Sequence, residues 1–209
     1  MYVPDAFAET NTAVLHDLIE SYSFGALVTG GGDEPYATHV PFLLDRERGA
    51  HGTLITHLSR GNPHWRQIAD AMALVIFSGP HGYVSPSWYE VHPAVPTWNY
   101  AAVHAYGRVR LIEDPAKLEA LVKRLVRTHE GGRADAWSTD GLPPAFMTGM
   151  LRGIVGLEIP VERLEGKFKL SQNRKTVDRK RVIARLAGSS SESERELAEF
   201  MTRHAAPGE

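Results

Sequence analysis

The stretch THLSRGNPHW (56–65) ends a strand pattern at Ser59 and opens a helix pattern at Pro63. A helix start presents unpaired N–H groups and the positive end of the peptide dipole, so anions bind there. Arg60 adds a planar fork of donors matched to a phosphate. Gly61 would let backbone approach an anion closely, and Asn62 is a capping residue type. Together these residues describe a phosphomonoester site; they would serve equally as a capped helix carrying a surface arginine. A second dense group of donors is GKFKLSQNR (166–174), with Lys167, Lys169, Ser171, Gln172, Asn173 and Arg174. It suits a phosphate or a carbonyl-rich ring, or forms an ordinary polar strand end. Between these lies GPHGYVSPSWYEVHPAVPTWNY (79–100), where Tyr83, Trp88, Tyr89, Trp98 and Tyr100 stand among prolines. Aromatic side chains at that density make an interface or a stacking wall, or they plug the end of a barrel.

Other chemistries find less support. The chain has no cysteine, which removes disulfides, thiolate nucleophiles and Cys-ligated metals. Ten histidines include His57, His64, His81, His92 and His104, but none lies in an H-E-x-x-H pattern. A hydrogen-bonded structural role is expected for His39, His57 and His104. No G-x-S-x-G, G-x-G-x-x-G or P-loop sequence occurs, so a serine hydrolase, a Rossmann dinucleotide site and an NTPase are unsupported. Neither a catalytic residue nor a metal ligand is assigned.

The elements that must position these groups follow from periodicity. Val14, Leu15, Leu18, Ile19 and Tyr22 recur at helical spacing behind Thr10 and Asn11, which predicts a helix over 11–22. Strand patterns at 24–30 and 35–44 flank Gly31, Gly32 and Asp33, a hairpin signal. A third strand is expected at 52–59, a short helix at 63–72 and a strand at 73–79. Residues 79–96 read as a long irregular connection. A long strand over 97–113 bends at Gly107. Asp114 and Pro115 start a helix lined by Leu118, Leu121, Val122 and Leu125. A further helix is expected at 143–153, a strand or strand pair at 154–171 and a basic helix at 175–187. A last helix near 192–204 carries Ser191 and Glu194 at capping-box spacing. Strands dominate the centre and do not alternate with long helices, which favours an antiparallel barrel with helices at its edges over a doubly wound parallel sheet.

Net charge is −2, unevenly placed. Residues 167–185 hold eight Lys/Arg and one acid, Asp178, leaving 15 of the 23 basic and 24 of the 25 acidic residues elsewhere. Such a segment marks a phosphate or nucleic-acid contact, or a solvated helix face. No apolar run approaches the roughly 20 residues needed to cross a bilayer, and no secretory signal is visible, so a cytoplasmic protein without membrane contact is expected.

Taken together, MYVP at the start, SFGALVT, THLSRGNPHW, GPHGYVSPSWY, VPTWNYAAVHAYG, RGIVGLEI and KFKLSQNR closely resemble the PaiB-like family of FMN-binding negative transcriptional regulators. The resemblance runs from Met1 to about Arg174. It implies a mainly β (α+β) antiparallel split β-barrel of the FMN-binding type, with peripheral helices, over residues 1–174; beyond it, residues 175–209 read by their own pattern as a basic, helical C-terminal extension. It implies a homodimer with FMN in clefts between the two chains. Arg60 and Asn62 would hold the FMN phosphate, with Thr56, His57 and Ser59 along that edge. Lys169, Gln172 and Arg174 would reach the flavin from the partner chain, and Trp98, Asn99 and Tyr100 would belong to the dimer seam. The implied function is transcriptional repression, with DNA or a regulatory protein as further partner. The alternatives are an FMN-dependent oxidoreductase of the NAD(P)H:flavin type and a haem-binding or haem-degrading split barrel. The segment beyond about Val177 matches no motif of the family, and no helix-turn-helix is evident.

Overall fold

The structure, a computed structural model, describes residues 1–30 and 34–204. In chain order the described elements are β1 (Ala8–Glu9), α1 (Thr12–Ser21), β2 (Phe24–Thr29), β3 (Tyr36–Pro41), β4 (Leu43–Asp45), β5 (Thr53–Ser59), α2 (His64–Gln67) and β6 (Met72–Val84). They continue with β7 (Thr97–Arg108), β8 (Arg110–Ile112), α3 (Pro115–Glu130), α4 (Pro144–Arg152), β9 (Ile154–Pro160), β10 (Arg163–Lys169), α5 (Thr176–Ala187) and α6 (Glu192–Arg203). All registered strand pairs are antiparallel. The fold is the mainly β, antiparallel split-barrel type with helices at its periphery. No described helix is long and apolar enough to cross a membrane.

Contacts divide the chain into two units, one of Met1–Leu18, Phe77–His104 and Glu165 onward, the other of Ile19–Ile76 and Ala105–Leu164. The second unit carries the strand order β4-β5-β9-β8 and the β6-β2-β3 edge. β2 and β3 pair from Phe24↔Pro41 to Thr29↔Tyr36, as the hairpin signal predicts; the turn at Gly31–Asp33 lies outside the described residues. The expected strand 35–44 is two strands. Phe42, 2% exposed, separates them and donates its N–H to the Ser23 carbonyl at 2.8 Å. The chain thereby passes from one sheet to the other, and the buried ring anchors the corner. A second corner follows Gly107, where an added Cβ would lie 2.2 Å from the Pro160 carbonyl oxygen. Only glycine lets the two backbones approach so closely.

Helix α3 forms because Asp114 caps it, its carboxylate accepting the Lys117 N–H at 2.9 Å, and because Pro115 suits the first turn. Its buried Leu121 and Leu125 join Leu43 and Ile55 in one apolar cluster, with Ile112 packed against it. Gly156 permits this approach, since a Cβ there would sit 2.9 Å from Ile112 and 3.0 Å from Leu118.

Within the first unit the strand order is β1-β10-β7-β6. Asn11 caps α1, its side-chain oxygen accepting the Ala13 N–H at 3.0 Å. Strand β6 continues to Val84, six residues into the stretch expected to be irregular. Gly79 and Gly82 sit there because bulk is excluded: a Cβ would meet the Ala101 carbonyl at 3.2 Å and Leu197 at 3.0 Å. Helices α5 and α6 bury Val182, Leu186, Leu197, Phe200 and Met201 in this unit. Asp178, 1% exposed, accepts the N–H groups of Glu90 (2.7 Å) and Val91 (3.3 Å). Arg179 donates to the carbonyls of Met201 (3.3 Å) and His204 (3.1 Å). Ser191 stands at the N-cap of α6 without a side-chain cap bond, so the capping box does not form.

Candidate functional site

In the second unit, residues 59–64 form a tied turn. Ser59 closes β5 opposite Ile154; its hydroxyl accepts the Gly61 N–H (3.1 Å) and its carbonyl the Asn62 N–H (3.0 Å). Arg60 donates its N–H to the Gly153 carbonyl at 2.8 Å. The expected helix at 63–72 is a single turn, His64–Gln67. The cause is competition for backbone partners: Asp70 N–H goes to the Val109 carbonyl (2.9 Å) and Val109 N–H to the Ala71 carbonyl (3.1 Å), while Asp70 adopts φ 59°. One turn has little dipole, so an anion here would depend on side chains and the turn's own N–H groups rather than on a helix end.

The side chains are organised for that. Asn62 accepts the His64 N–H (3.0 Å) on its carbonyl oxygen and donates from its amide to the Thr38 hydroxyl (3.1 Å). His64, 0% exposed, bridges the hydroxyls of Thr29 (2.8 Å) and Thr38 (2.9 Å), with the Tyr36 ring 4.6 Å away. The Trp65 indole N–H donates to the Arg60 carbonyl at 3.0 Å, and the Arg60 guanidinium lies 5.2 Å from the centre of that ring. Arg60 meets one carboxylate, Glu113, at 3.1 Å; the two side chains are 34% and 57% exposed. An exposed pair of this kind is worth at most about 1 kcal/mol and yields readily to a better anion. A Cβ at Gly61 would touch only the Ser59 hydroxyl, at 3.4 Å, so the approach to the turn is open.

Two other expected residues stand on β5. Thr56 is 0% exposed and donates its hydroxyl to the Pro41 carbonyl at 2.6 Å, which fixes its role in packing. His57 is half-buried and its Nδ1 is buried without a hydrogen-bond partner. Burial holds the imidazoles of His57 and His64 below the usual value of 6.5, hence neutral. Unfolded, both would titrate near 6.5, so the unfolded chain takes up protons first as the pH falls. The stability they contribute is present above pH 6.5 and is lost below it. The urea midpoint should therefore be lower at pH 5.5 than at pH 7.5, and the drop should shrink in His57→Gln; equal midpoints would overturn this.

The remaining three expected residues belong to the first unit. Lys169 donates to the Thr97 hydroxyl and to the Trp98 carbonyl at 2.6 Å. Burial lowers its pKa from the ordinary lysine value, as do the neighbouring charges of Lys167 and Arg174. The Gln172 amide folds back onto its own strand, accepting from Leu170 N–H (2.6 Å) and donating to the Phe168 carbonyl. Arg174 lies 4.5 Å over the Tyr89 ring. The structure thus groups Thr56, His57, Ser59, Arg60 and Asn62 in one unit and Lys169, Gln172 and Arg174 in the other. Thr38, Trp65 and Glu113 complete the first group; Thr38 and Glu113 carry no local spacing signal that ties them to Arg60 or Asn62. The part-exposed Arg60 guanidinium and the open turn at Gly61 fit a phosphate-bearing cofactor.

Comparison with known proteins agrees with that chemistry. Residues 1–163 match the family model described as "Putative FMN-binding domain". The chain is 38% identical over 202 residues to the "Protease synthase and sporulation protein PAI 2" of Bacillus subtilis, covering 96% of each chain. Among solved structures it is similar to the flavocytochrome Anf3 from Azotobacter vinelandii, with TM-score 0.60 and 13% identity over 78% of this chain and 69% of that one. It is also similar to a FAD and heme binding protein from Mycobacterium smegmatis, with TM-score 0.53 and 20% identity over 78% and 73% of the two chains.

Proposed function

From the premise that this chain belongs to the PaiB-like family of FMN-binding proteins, we propose that it acts in the cytoplasm as a homodimeric, FMN-loaded negative regulator of transcription. The observation that carries the cofactor's placement is the tied turn at 59–64, which offers the Arg60 guanidinium beside an open backbone. Arg60 pairs with the FMN phosphate in place of Glu113, and the Asn62–Thr38–His64 chain of hydrogen bonds keeps the turn in shape. Thr56, His57 and Ser59 build that edge from β5. Lys169, Gln172 and Arg174 of a second copy face the flavin. FMN, when bound, supplies reversible electron transfer, which the chain positions and tunes.

The regulatory role is supported by likeness to PAI 2, whose name places it in protease synthesis and sporulation. Direct DNA contact draws less support from the basic segment. Arg179 and Lys167 are buried and Arg181 pairs with Glu90 at 3.1 Å, which leaves Lys175, Lys180 and Arg185 as exposed cations of α5 and its approach. Regulation through a protein partner is therefore favoured. The test compares transcripts in cells lacking the chain with those in cells carrying Arg60→Ala. Both should show the same genes released from repression. Normal repression by Arg60→Ala protein shown to lack FMN would overturn the flavin-dependent role.

A further inference from the structure

Lys167, Lys169 and Arg174 gather positive charge in the first unit. None of the ion pairs among the described residues includes any of the three. Three acids of this unit are engaged elsewhere: Glu165 with the Met1 ammonium, Glu90 with Arg181, and Asp178 with two backbone N–H groups. What holds the cations is neutral. Lys167, 9% exposed, donates to the Tyr2 carbonyl at 3.1 Å and lies 5.4 Å from the centres of the Tyr2 and Tyr100 rings. Lys169 is held by the Thr97 hydroxyl and the Trp98 carbonyl, and Arg174 by the face of Tyr89.

Carbonyls and ring faces fix such groups in place without cancelling their charge. Buried charge left uncancelled is costly, and like charges held close raise the cost. Burial lowers the pKa of Lys169, and the neighbouring charges of Lys167 and Arg174 lower it further. Clustered cations held by neutral groups, with no ion-pair partner among the described residues, mark a place built to receive an anion.

We propose that Lys167, Lys169 and Arg174 form a binding site for the oxyanion head, phosphate or carboxylate, of a small ligand other than FMN. The proposal rests on the flavin reading for the ligand's role: it is the effector that the regulator senses, or the compound with which the flavin exchanges electrons.

The full chain is titrated with inorganic phosphate and, separately, with acetate, at constant ionic strength, with and without saturating FMN. Binding is followed by calorimetry and by thermal unfolding. The expected result is saturable binding of one oxyanion per chain that survives FMN saturation; the tighter of the two probes identifies the head group. Lys167→Met, an apolar replacement outside the flavin contacts, should weaken that binding about tenfold. It should also melt no lower than the natural chain when no oxyanion is present, because a repelling charge is gone. Arg174→Met should abolish saturation. Absence of saturable binding by either probe overturns the proposal, as does an affinity that Lys167→Met leaves unchanged. Loss of oxyanion binding on FMN saturation also overturns it, since the corner would then belong to the cofactor's own phosphate. A chain that binds no FMN yet binds phosphate through Lys167 and Arg174 refutes the flavin reading and upholds the anion site.

Discussion

Arg60→Ala should bind FMN about 1.5–3 kcal/mol more weakly than the natural chain, roughly a tenfold to 150-fold rise in Kd by fluorescence titration. The range is that of a hydrogen bond to a charged group, and Arg60 is the side chain of the 59–64 turn shaped to give one. The loss should be specific. Arg60 is one-third exposed and its only ion pair among the described residues is with a more exposed Glu113. Removing it should therefore move unfolding by less than about 1 kcal/mol. Its backbone contacts, to the Gly153 carbonyl and from the Trp65 indole, survive the substitution. Glu113→Gln supplies the reciprocal control: without a carboxylate competing for the guanidinium, FMN should bind at least as tightly as before. Unchanged FMN affinity in Arg60→Ala would remove this residue from the site.

Gly107→Ala should be the most damaging single methyl in the second unit. The new Cβ would lie 2.2 Å from the Pro160 carbonyl oxygen and 2.9 Å from Ile159 Cγ2, so backbone has to move. Overpacking of this kind costs about 1–3 kcal/mol and more where backbone blocks the way, so at least about 3 kcal/mol is expected. In a chain of this size that lowers Tm by roughly 6–12 °C. Gly141→Ala is the matching control, since nothing lies within 4 Å of a Cβ there, and it should stay within about 0.5 kcal/mol of the natural chain. Equal melting of the two variants would show that the corner yields at little cost.

What could be read from the sequence was what neighbouring residues decide among themselves. Helix α3 announces itself through Asp114, Pro115 and the Leu118–Leu121–Leu125 stripe, because cap, first turn and apolar face are all local. The β2–β3 pairing is equally legible, with strand patterns on either side of the sequence Gly31-Gly32-Asp33. Arg60 and Asn62 stood out for the same reason. The misread parts depend on partners distant in the chain. Residues 79–84 look irregular by composition, yet they are strand, because Gly79 and Gly82 give room to Ala101 and Leu197. Helix α2 stops at Gln67 because Val109, some forty residues later, takes the hydrogen bonds the helix would have used. Thr38 and Glu113 complete the neighbourhood of Arg60 and Asn62 only after folding brings them in, so no spacing rule could have named them. The basic run at 167–185 reads as one cationic stripe, but its members divide among burial, ion pairing and exposure once the helices are placed.

The first unit is assembled from three separate stretches, Met1–Leu18, Phe77–His104 and Glu165 onward, with the Met1 ammonium bound to Glu165. Ribosomes deliver residues in order, at about 5–20 per second. Residues 1–18 therefore emerge long before the partners that will cover them, whereas the second unit has all its segments once Leu164 is made. During synthesis the nascent chain must carry an unfinished half, which closes only after helix α6 has left the exit tunnel.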